Sequence, residues 1–242
     1  MAILPFTHEK IKLPSGLELE VTLSIPQQNI NEESLVKLAV CLHPWSWLGG
    51  RMDDPVLCSI QDPFLQQGYH VLRYNSRGVG QSSGWPSLTG SQEAQDLQKL
   101  VQWALHEIPS ISTVVILGYS HGSLIASLFP ILPDPVKVYH ILLSYPLGPR
   151  SWLTAFRGNM YATTLNNLLS NKRADVLVVF GDHDEFTGEE SYDTWAEDLK
   201  RQVQGEGKGH LQIVKVEGAT HFWTDHLGAR SRMLRSILLH IP

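Results

Sequence analysis

The sequence lacks the marks of a secreted or membrane-bound protein. It has only 2 cysteines, and Cys41 and Cys58 are too far apart for a C-x-x-C pair, so we expect no disulfide framework and two reduced thiols in the core. The amino terminus has no basic segment followed by a long apolar run, and no apolar run reaches the length of a membrane span. These absences predict a cytoplasmic protein without a membrane partner.

The chain also lacks an excess of positive charge. Its 19 Lys and Arg residues face 24 Asp and Glu residues, which gives a formal net charge of -5. This balance argues against nucleic acid as a partner and against a polybasic membrane segment. The 242 residues show no repeat, low-complexity tract or linker, so we expect a single α/β domain over residues 1–242 with a large core.

What the sequence does contain is a glycine-flanked serine at residues 118–122, Gly-Tyr-Ser-His-Gly. The run 114–117 before it is typical of a buried parallel strand, and residues 123–128 after it have a helical pattern. Ser120 is thus predicted on a sharp strand-to-helix turn, where the two glycines allow strand and helix to cross closely. Its hydroxyl would be exposed at the strand end, and the amide of His121 would face developing negative charge.

Apolar strands and helical patterns alternate along the rest of the chain. The sequence predicts a hairpin in 8–25 and strands at 36–42, 69–74, 136–146, 176–180 and 211–216. Capping signals predict helices after Asp54, Thr89 and Thr187, with Pro63 expected to break or kink the first of them. This alternation predicts an open, mainly parallel sheet with helices on both faces and a ligand crevice at the carboxyl ends of the strands.

A serine hydroxyl needs a base to accept its proton and an acid to orient that base. His221 follows the last predicted strand, where its imidazole can approach the serine from the next loop. The turn after the strand at 176–180 offers three acids, Asp182, Asp184 and Glu185, and the residues alone leave the choice among them open.

Four motifs in one order resemble the α/β-hydrolase superfamily over roughly residues 36–240, and in particular its small, nearly lidless members. They are His43-Pro44, the Arg-Gly-x-Gly-x-Ser loop at 77–82, Gly-x-x-Asp at 181–184 and Gly-Ala-x-His-Phe at 218–222. The resemblance implies the α/β-hydrolase fold with a minimal lid and a triad in the order serine, acid, histidine. It selects Asp184 as the acid and leaves Asp182 to cap the turn.

An oxyanion hole needs two backbone donors. His121 supplies one, and the resemblance places the second in the loop after the strand at 36–42. Pro44 has no N–H, so we assign this second donor to Trp45.

Tryptophans that follow predicted strands suggest an aromatic pocket for an apolar or planar acyl group. The segment between the strands at 136–146 and 176–180 has room for only one or two helices, so the site should be only partly covered. The predicted pocket residues are Trp47, Trp85, Trp152, Phe156 and Trp223.

These residues predict a serine hydrolase that acts on small-molecule carboxylic esters or thioesters. An acyltransferase, or a hydrolase of carbon–carbon or peptide bonds, would use the same triad, and a non-catalytic ligand-binding module on the same fold is a further alternative. No cofactor is expected. We also expect no metal, because His43, His121 and His183 lack the spacing of metal ligands.

Overall fold

One eight-stranded sheet organises the fold in the computed structural model, which describes residues 8–27, 35–155, 157–224 and 228–242. The strands lie in the order β1-β2-β4-β3-β5-β6-β7-β8. The first two strands form an antiparallel hairpin, β2 also pairs antiparallel with β4, and all other neighbours are parallel. The strands are β1 (Glu9–Lys12), β2 (Glu18–Ser24), β3 (Val36–Leu42), β4 (Tyr69–Tyr74), β5 (Ile111–Tyr119), β6 (Lys137–Leu143), β7 (Asp175–His183) and β8 (His210–Thr220). The predicted hairpin and mainly parallel sheet are confirmed.

Helices cover both faces of this sheet, as predicted. They are α1 (Pro55–Gln66), α2 (Ser91–Glu107), α3 (His121–Ala126), α4 (Arg150–Leu153), α5 (Gly158–Leu169), α6 (Glu189–Gln202) and α7 (Ala229–His240), with a 3-10 turn at Ser46–Leu48. Alternate residues of a strand point to opposite faces, so Leu38 and Val40 of β3 enter one core while Ala39 and Cys41 enter the other. The first core includes side chains of α2, α3, α5 and α6, and the second those of α1 and α7.

The first helix begins as predicted but differs from its prediction at Cys58. Asp54 caps it, since its side chain accepts a hydrogen bond from the amide of Val56 at 2.8 Å. The helix continues through Pro63 to Gln66, so this proline does not end it. Cys58 lies on the solvent side, where its sulfur contacts the Arg73 guanidinium at 3.0 Å, so its prediction as a core thiol is wrong.

The capping boxes predicted for α2 and α6 are wrong. Their N-cap residues are Gly90 and Gly188, which have no capping side chain. Thr89 instead contacts the hydroxyl of Ser91 at 3.0 Å, and Thr187 donates its amide to Asp184. Other contacts therefore engage both threonines.

Within the described part of the chain, no helix combines the length and the apolar character that crossing a membrane requires.

Candidate active site

The turn between β5 and α3 holds Ser120 in a strained backbone conformation, with φ 54° and ψ -121°. A Cβ atom on Gly118 would lie 2.2 Å from the carbonyl oxygen of Gly122, and one on Gly122 would lie 2.4 Å from the carbonyl oxygen of Leu42. Both contacts are with backbone atoms, so neither glycine can be replaced without moving the turn. The Ser120 amide donates to the carbonyl of Leu143 at 2.9 Å and so fixes the turn to β6.

Two hydrogen bonds join Ser120, His221 and Asp184 into one chain. His221 Nε2 lies 2.8 Å from Ser120 Oγ, and His221 Nδ1 lies 2.7 Å from Asp184 Oδ2. An ionised carboxylate only accepts, so Nδ1 carries the proton and Nε2 is left to accept the serine hydroxyl proton. The His221 and Asp184 side chains are 4% and 0% exposed, so water competes little for these bonds.

Hydrogen bonds also fix the backbone of His221. The hydroxyl of Tyr119 donates to the His221 carbonyl at 2.9 Å, and the His221 amide donates to Glu185 Oε2 at 2.8 Å. The ring of Phe186 lies edge-on to the imidazole, with 4.6 Å between centroids. Glu185, one of the three acids the sequence left open, thus contacts the backbone of the histidine.

Asp184 is the acid that reaches the imidazole, and three further donors orient it. Its Oδ1 accepts from the amides of Phe186 and Thr187, both at 2.9 Å. Tyr192 shares its hydroxyl proton between Oδ2 at 3.2 Å and the Tyr145 carbonyl at 2.9 Å. Burial and the nearby Asp184 carboxylate raise the pKa of Tyr192, so this hydroxyl stays a neutral donor. Asp182 instead accepts from the amide of Gly218 at 2.7 Å and joins the ends of β7 and β8.

The loop after β3 is fixed by His43. Its Nδ1 donates to the Pro44 carbonyl at 2.7 Å, and its Nε2 accepts from the amide of Ser76 at 3.1 Å. Burial lowers the pKa of this imidazole to about 4, so it remains neutral at pH 7. Trp45 follows in the same loop and lines the cavity beside Ser120.

The Arg-Gly-x-Gly-x-Ser loop is held by contacts within the protein. Arg77 forms a two-pronged ion pair with Asp96, with distances of 2.6 and 2.9 Å. A Cβ atom on Gly80 would lie 2.3 Å from a carboxylate oxygen of Glu20. These contacts give the loop a structural role.

A cavity of about 500 Å³ opens on Ser120 and His221. Its wall is mostly apolar and aromatic, and the Trp45 and Trp152 rings meet edge to face at 6.2 Å between centroids. The lining residues are Pro44, Trp45, Leu48, Gly49, Gly50, Asp54, Tyr119, Ser120, Pro146, Pro149, Trp152, Leu153, Phe186, His221 and Phe222.

Of the four predicted pocket residues that the structure describes, Trp152 alone is in this wall. Trp47 stacks on Trp45 from outside with 6.3 Å between centroids, and Trp85 is 85% exposed. Trp223 is fully buried in the core and donates its indole N–H to Ser144 Oγ at 2.9 Å, because the chain turns inward just after His221. Phe156 lies outside the described residues.

Sequence reasoning missed Phe186 and Phe222 in the cavity wall. One lies two residues after Asp184 and the other directly follows His221, so both are carried into the cavity by neighbours that the sequence had singled out. Their position beside Asp184 and His221 is the feature of the sequence that could have identified them. Leu48 and Pro149 belong to loops with no comparable marker.

The chain is similar in sequence or in fold to several known proteins. Residues 48–160 match the model of a family described as alpha/beta hydrolase fold. An α/β serine hydrolase homologue from Coxiella burnetii superposes with a TM-score of 0.72 at 21% identity, over 100% of both chains. A serine hydrolase without a lid from Xanthomonas campestris superposes with a TM-score of 0.67 at 23% identity, also over 100% of both chains.

The chain has the α/β-hydrolase fold.

Two further proteins with partial or distant similarity were found. Est1E from Butyrivibrio proteoclasticus, solved with ferulic acid bound, shares the α/β-hydrolase fold with a TM-score of 0.72 at 19% identity, over 96% of this chain and 98% of that one. An uncharacterised protein from Rickettsia prowazekii is 35% identical over 89 residues, which are 37% of this chain. The match also spans only 37% of the length of that curated relative.

Proposed function

We propose that this protein is a serine hydrolase that cleaves carboxylic ester or thioester bonds through an acyl-enzyme. The observation that carries the proposal is the chain of hydrogen bonds from Ser120 through His221 to Asp184, with separations of 2.8 and 2.7 Å. The nucleophile, the base and the orienting acid are joined by hydrogen bonds, and this arrangement makes a serine hydroxyl reactive. A module that only binds a ligand has no need of it.

In the proposed reaction Ser120 Oγ attacks the carbonyl carbon of the substrate while His221 Nε2 takes the hydroxyl proton. The carbonyl oxygen becomes an oxyanion, stabilised by the amides of His121 and Trp45. When the tetrahedral intermediate collapses, the bond to the alcohol or thiol breaks and His221 returns the proton to this leaving group. Water then attacks the acyl-enzyme with His221 again as base, and Asp184 stabilises the imidazolium in both halves.

The cavity supports an apolar or aromatic acyl group of small or medium size. Its volume of about 500 Å³ lies within the usual range for small-molecule sites, and its wall is rich in aromatic rings. The ferulic acid held by Est1E, a protein of the same fold, is itself an aromatic acid. Among the described residues between β6 and β7, those that line the cavity are Pro146, Pro149, Trp152 and Leu153, in and beside the short helix α4. This short cover suits a soluble substrate.

A fluorophosphonate probe tests the proposed nucleophile. We expect the wild-type protein to be labelled once, at Ser120, and to hydrolyse 4-nitrophenyl esters, because the probe reacts with activated serines. Ser120→Ala should abolish both labelling and turnover. The matched control is Ser123→Ala, which lies one helical turn away with its hydroxyl bonded to the Ser120 carbonyl at 2.6 Å, and it should still be labelled. A wild-type protein that is neither labelled nor active would favour the binding module.

The acyl preference tests the proposed pocket. We expect aromatic and medium-chain esters to have higher kcat/KM than acetyl esters, since their acyl groups contact the cavity wall. Trp152→Ala should lower kcat/KM for an aromatic ester roughly tenfold, in line with the loss of an aromatic contact, and affect the acetyl ester little. Trp85→Ala is the control, because that ring is 85% exposed and outside the cavity. Equal effects of the two variants would contradict the assignment.

A further inference from the structure

A cluster of potential metal ligands lies at the amino ends of β7 and β8, at the opposite end of the parallel strands from Ser120. Asp175 begins β7, His210 begins β8 and His240 ends α7. Asp175 Oδ1 is 2.8 Å from His210 Nδ1 and 3.2 Å from His240 Nε2, and the donor atoms of all three lie within 4.8 Å of one another. The two imidazoles stack with 5.6 Å between centroids. Three separate elements therefore present one carboxylate and two imidazoles to the same point.

His240 is the buried member of the cluster. Its side chain is 1% exposed, and its Nδ1 lies 3.0 Å from Gln212 Oε1. A carbonyl oxygen only accepts, so Nδ1 carries a proton and Nε2 is directed toward the Asp175 carboxylate. Nε2 lies 3.2 Å from Asp175 Oδ1 without a well-formed hydrogen bond to it. A buried nitrogen beside a carboxylate is compensated either by a proton or by a metal ion, and the imidazole of His210 at the same oxygen favours the ion.

We propose that Asp175, His210 and His240 bind one divalent transition-metal ion, with zinc as the ion that fits best. Two imidazoles and a carboxylate are a common ligand set for zinc, and ligand atoms around a tetrahedral zinc ion lie about 3.3 Å apart. The Gln212 contact orients the imidazole from the far side, as outer-shell partners of metal ligands do. Because His210 is 63% exposed, water can complete the coordination.

One neighbouring charge opposes the ion. Lys137 Nζ lies 3.2 Å from Asp175 Oδ2, the oxygen that does not face the histidines. This ammonium neutralises part of the carboxylate charge and repels a cation, although it leaves Oδ1 available. Lys137→Met should consequently tighten metal binding, a result that a purely structural ion pair would not give.

Metal titration of the full chain tests the site. After dialysis against a chelator, Zn²⁺ is titrated by calorimetry and Co²⁺ by its visible absorption. We expect one ion per chain, a cobalt spectrum typical of nitrogen and oxygen ligands, and a Tm that rises by about 5 °C or more at saturating Zn²⁺. His210→Ala should weaken binding at least tenfold, and it is the variant of choice because this exposed side chain contributes little to folding. Asp175→Asn and His240→Gln should also weaken Zn²⁺ binding at least tenfold.

A matched control comes from His8, which is half-exposed and pairs with Glu20 at 3.0 Å, and the described residues give this pair no third ligand. His8→Ala should bind Zn²⁺ like the wild type. No saturable binding by the wild type, or equal binding by His210→Ala and the wild type, would overturn the proposal. The metal site is independent of the proposed hydrolase: His210→Ala should retain esterase activity, and a chain inactive toward esters should still bind the ion.

Discussion

At the scale of single residues, the Asp184 carboxylate decides which tautomer His221 adopts. Two backbone amides hold its Oδ1, while Tyr192 and the imidazole share Oδ2. With both oxygens engaged by donors, an isosteric amide cannot satisfy all four contacts. Its NH₂ group would face either the backbone amides or the imidazole N–H.

We predict that Asp184→Asn lowers kcat by roughly 10³- to 10⁴-fold, the size of effect seen when a triad histidine is driven into the wrong tautomer. The amide oxygen would stay with the backbone donors, and its NH₂ group would force His221 Nδ1 to become an acceptor. Nε2 would then carry the proton and could no longer accept one from Ser120. The measurement is kcat for a 4-nitrophenyl ester, with circular dichroism to verify folding.

Asp182→Asn is the matched control for this prediction. Its Oδ1 accepts the Gly218 amide at 2.7 Å, which an asparagine oxygen can preserve, and lies 3.9 Å from Nδ1 of the exposed His183. We expect kcat within a few-fold of the wild type. Near-normal turnover in Asp184→Asn would move the acid role elsewhere, with Glu185 as the next candidate because it already contacts the His221 backbone.

At the scale of helices and strands, the features that the sequence predicted are those that neighbouring residues determine. The run 36–42 coincides with β3, because a buried parallel strand needs consecutive apolar residues whatever its neighbours. The turn around Ser120 was predictable for the same reason: two glycines are required wherever a strand and a helix cross at backbone distance. His221 was placed correctly because it follows a strand end that the fold brings to that edge.

Features set by distant contacts could not be predicted. Thr187 precedes Glu190 by three residues, a pattern typical of a helix cap. Its amide nevertheless donates to Asp184, and its hydroxyl accepts from the amide of Gly148 at 3.3 Å. Trp223 follows a strand just as Trp152 does, but it turns into the core and finds a hydroxyl partner in Ser144. The direction in which a loop side chain points depends on the space left by other elements, and a linear pattern does not record that space.

At the scale of the whole molecule, burial lowers the pKa of four histidines. The pKa of His43, His121 and His140 is lowered to about 4 in each case, and that of His70 is lowered as well. In the unfolded chain such groups titrate near 6.5. Between these values the unfolded state binds more protons than the folded state, so the free energy of unfolding must fall as the pH falls through this window. Well above pH 6.5 these imidazoles are neutral in both states and the effect disappears.

We therefore predict that the protein loses stability between pH 7 and 5, by about 2 kcal/mol for each of His43, His121 and His140. The midpoint of urea unfolding at pH 7, 6 and 5 measures the loss. Glu20 and Asp175 have lowered pKa values, so their contribution is lost only below about pH 4.5 and stays outside the range measured. His140→Asn can still donate to the Phe129 carbonyl that Nε2 reaches at 2.9 Å, and it should reduce the slope, because one contributing imidazole is removed. The exposed His106→Asn should leave the slope unchanged, and a stability that stayed constant from pH 7 to 5 would show that these imidazoles are not kept neutral by burial.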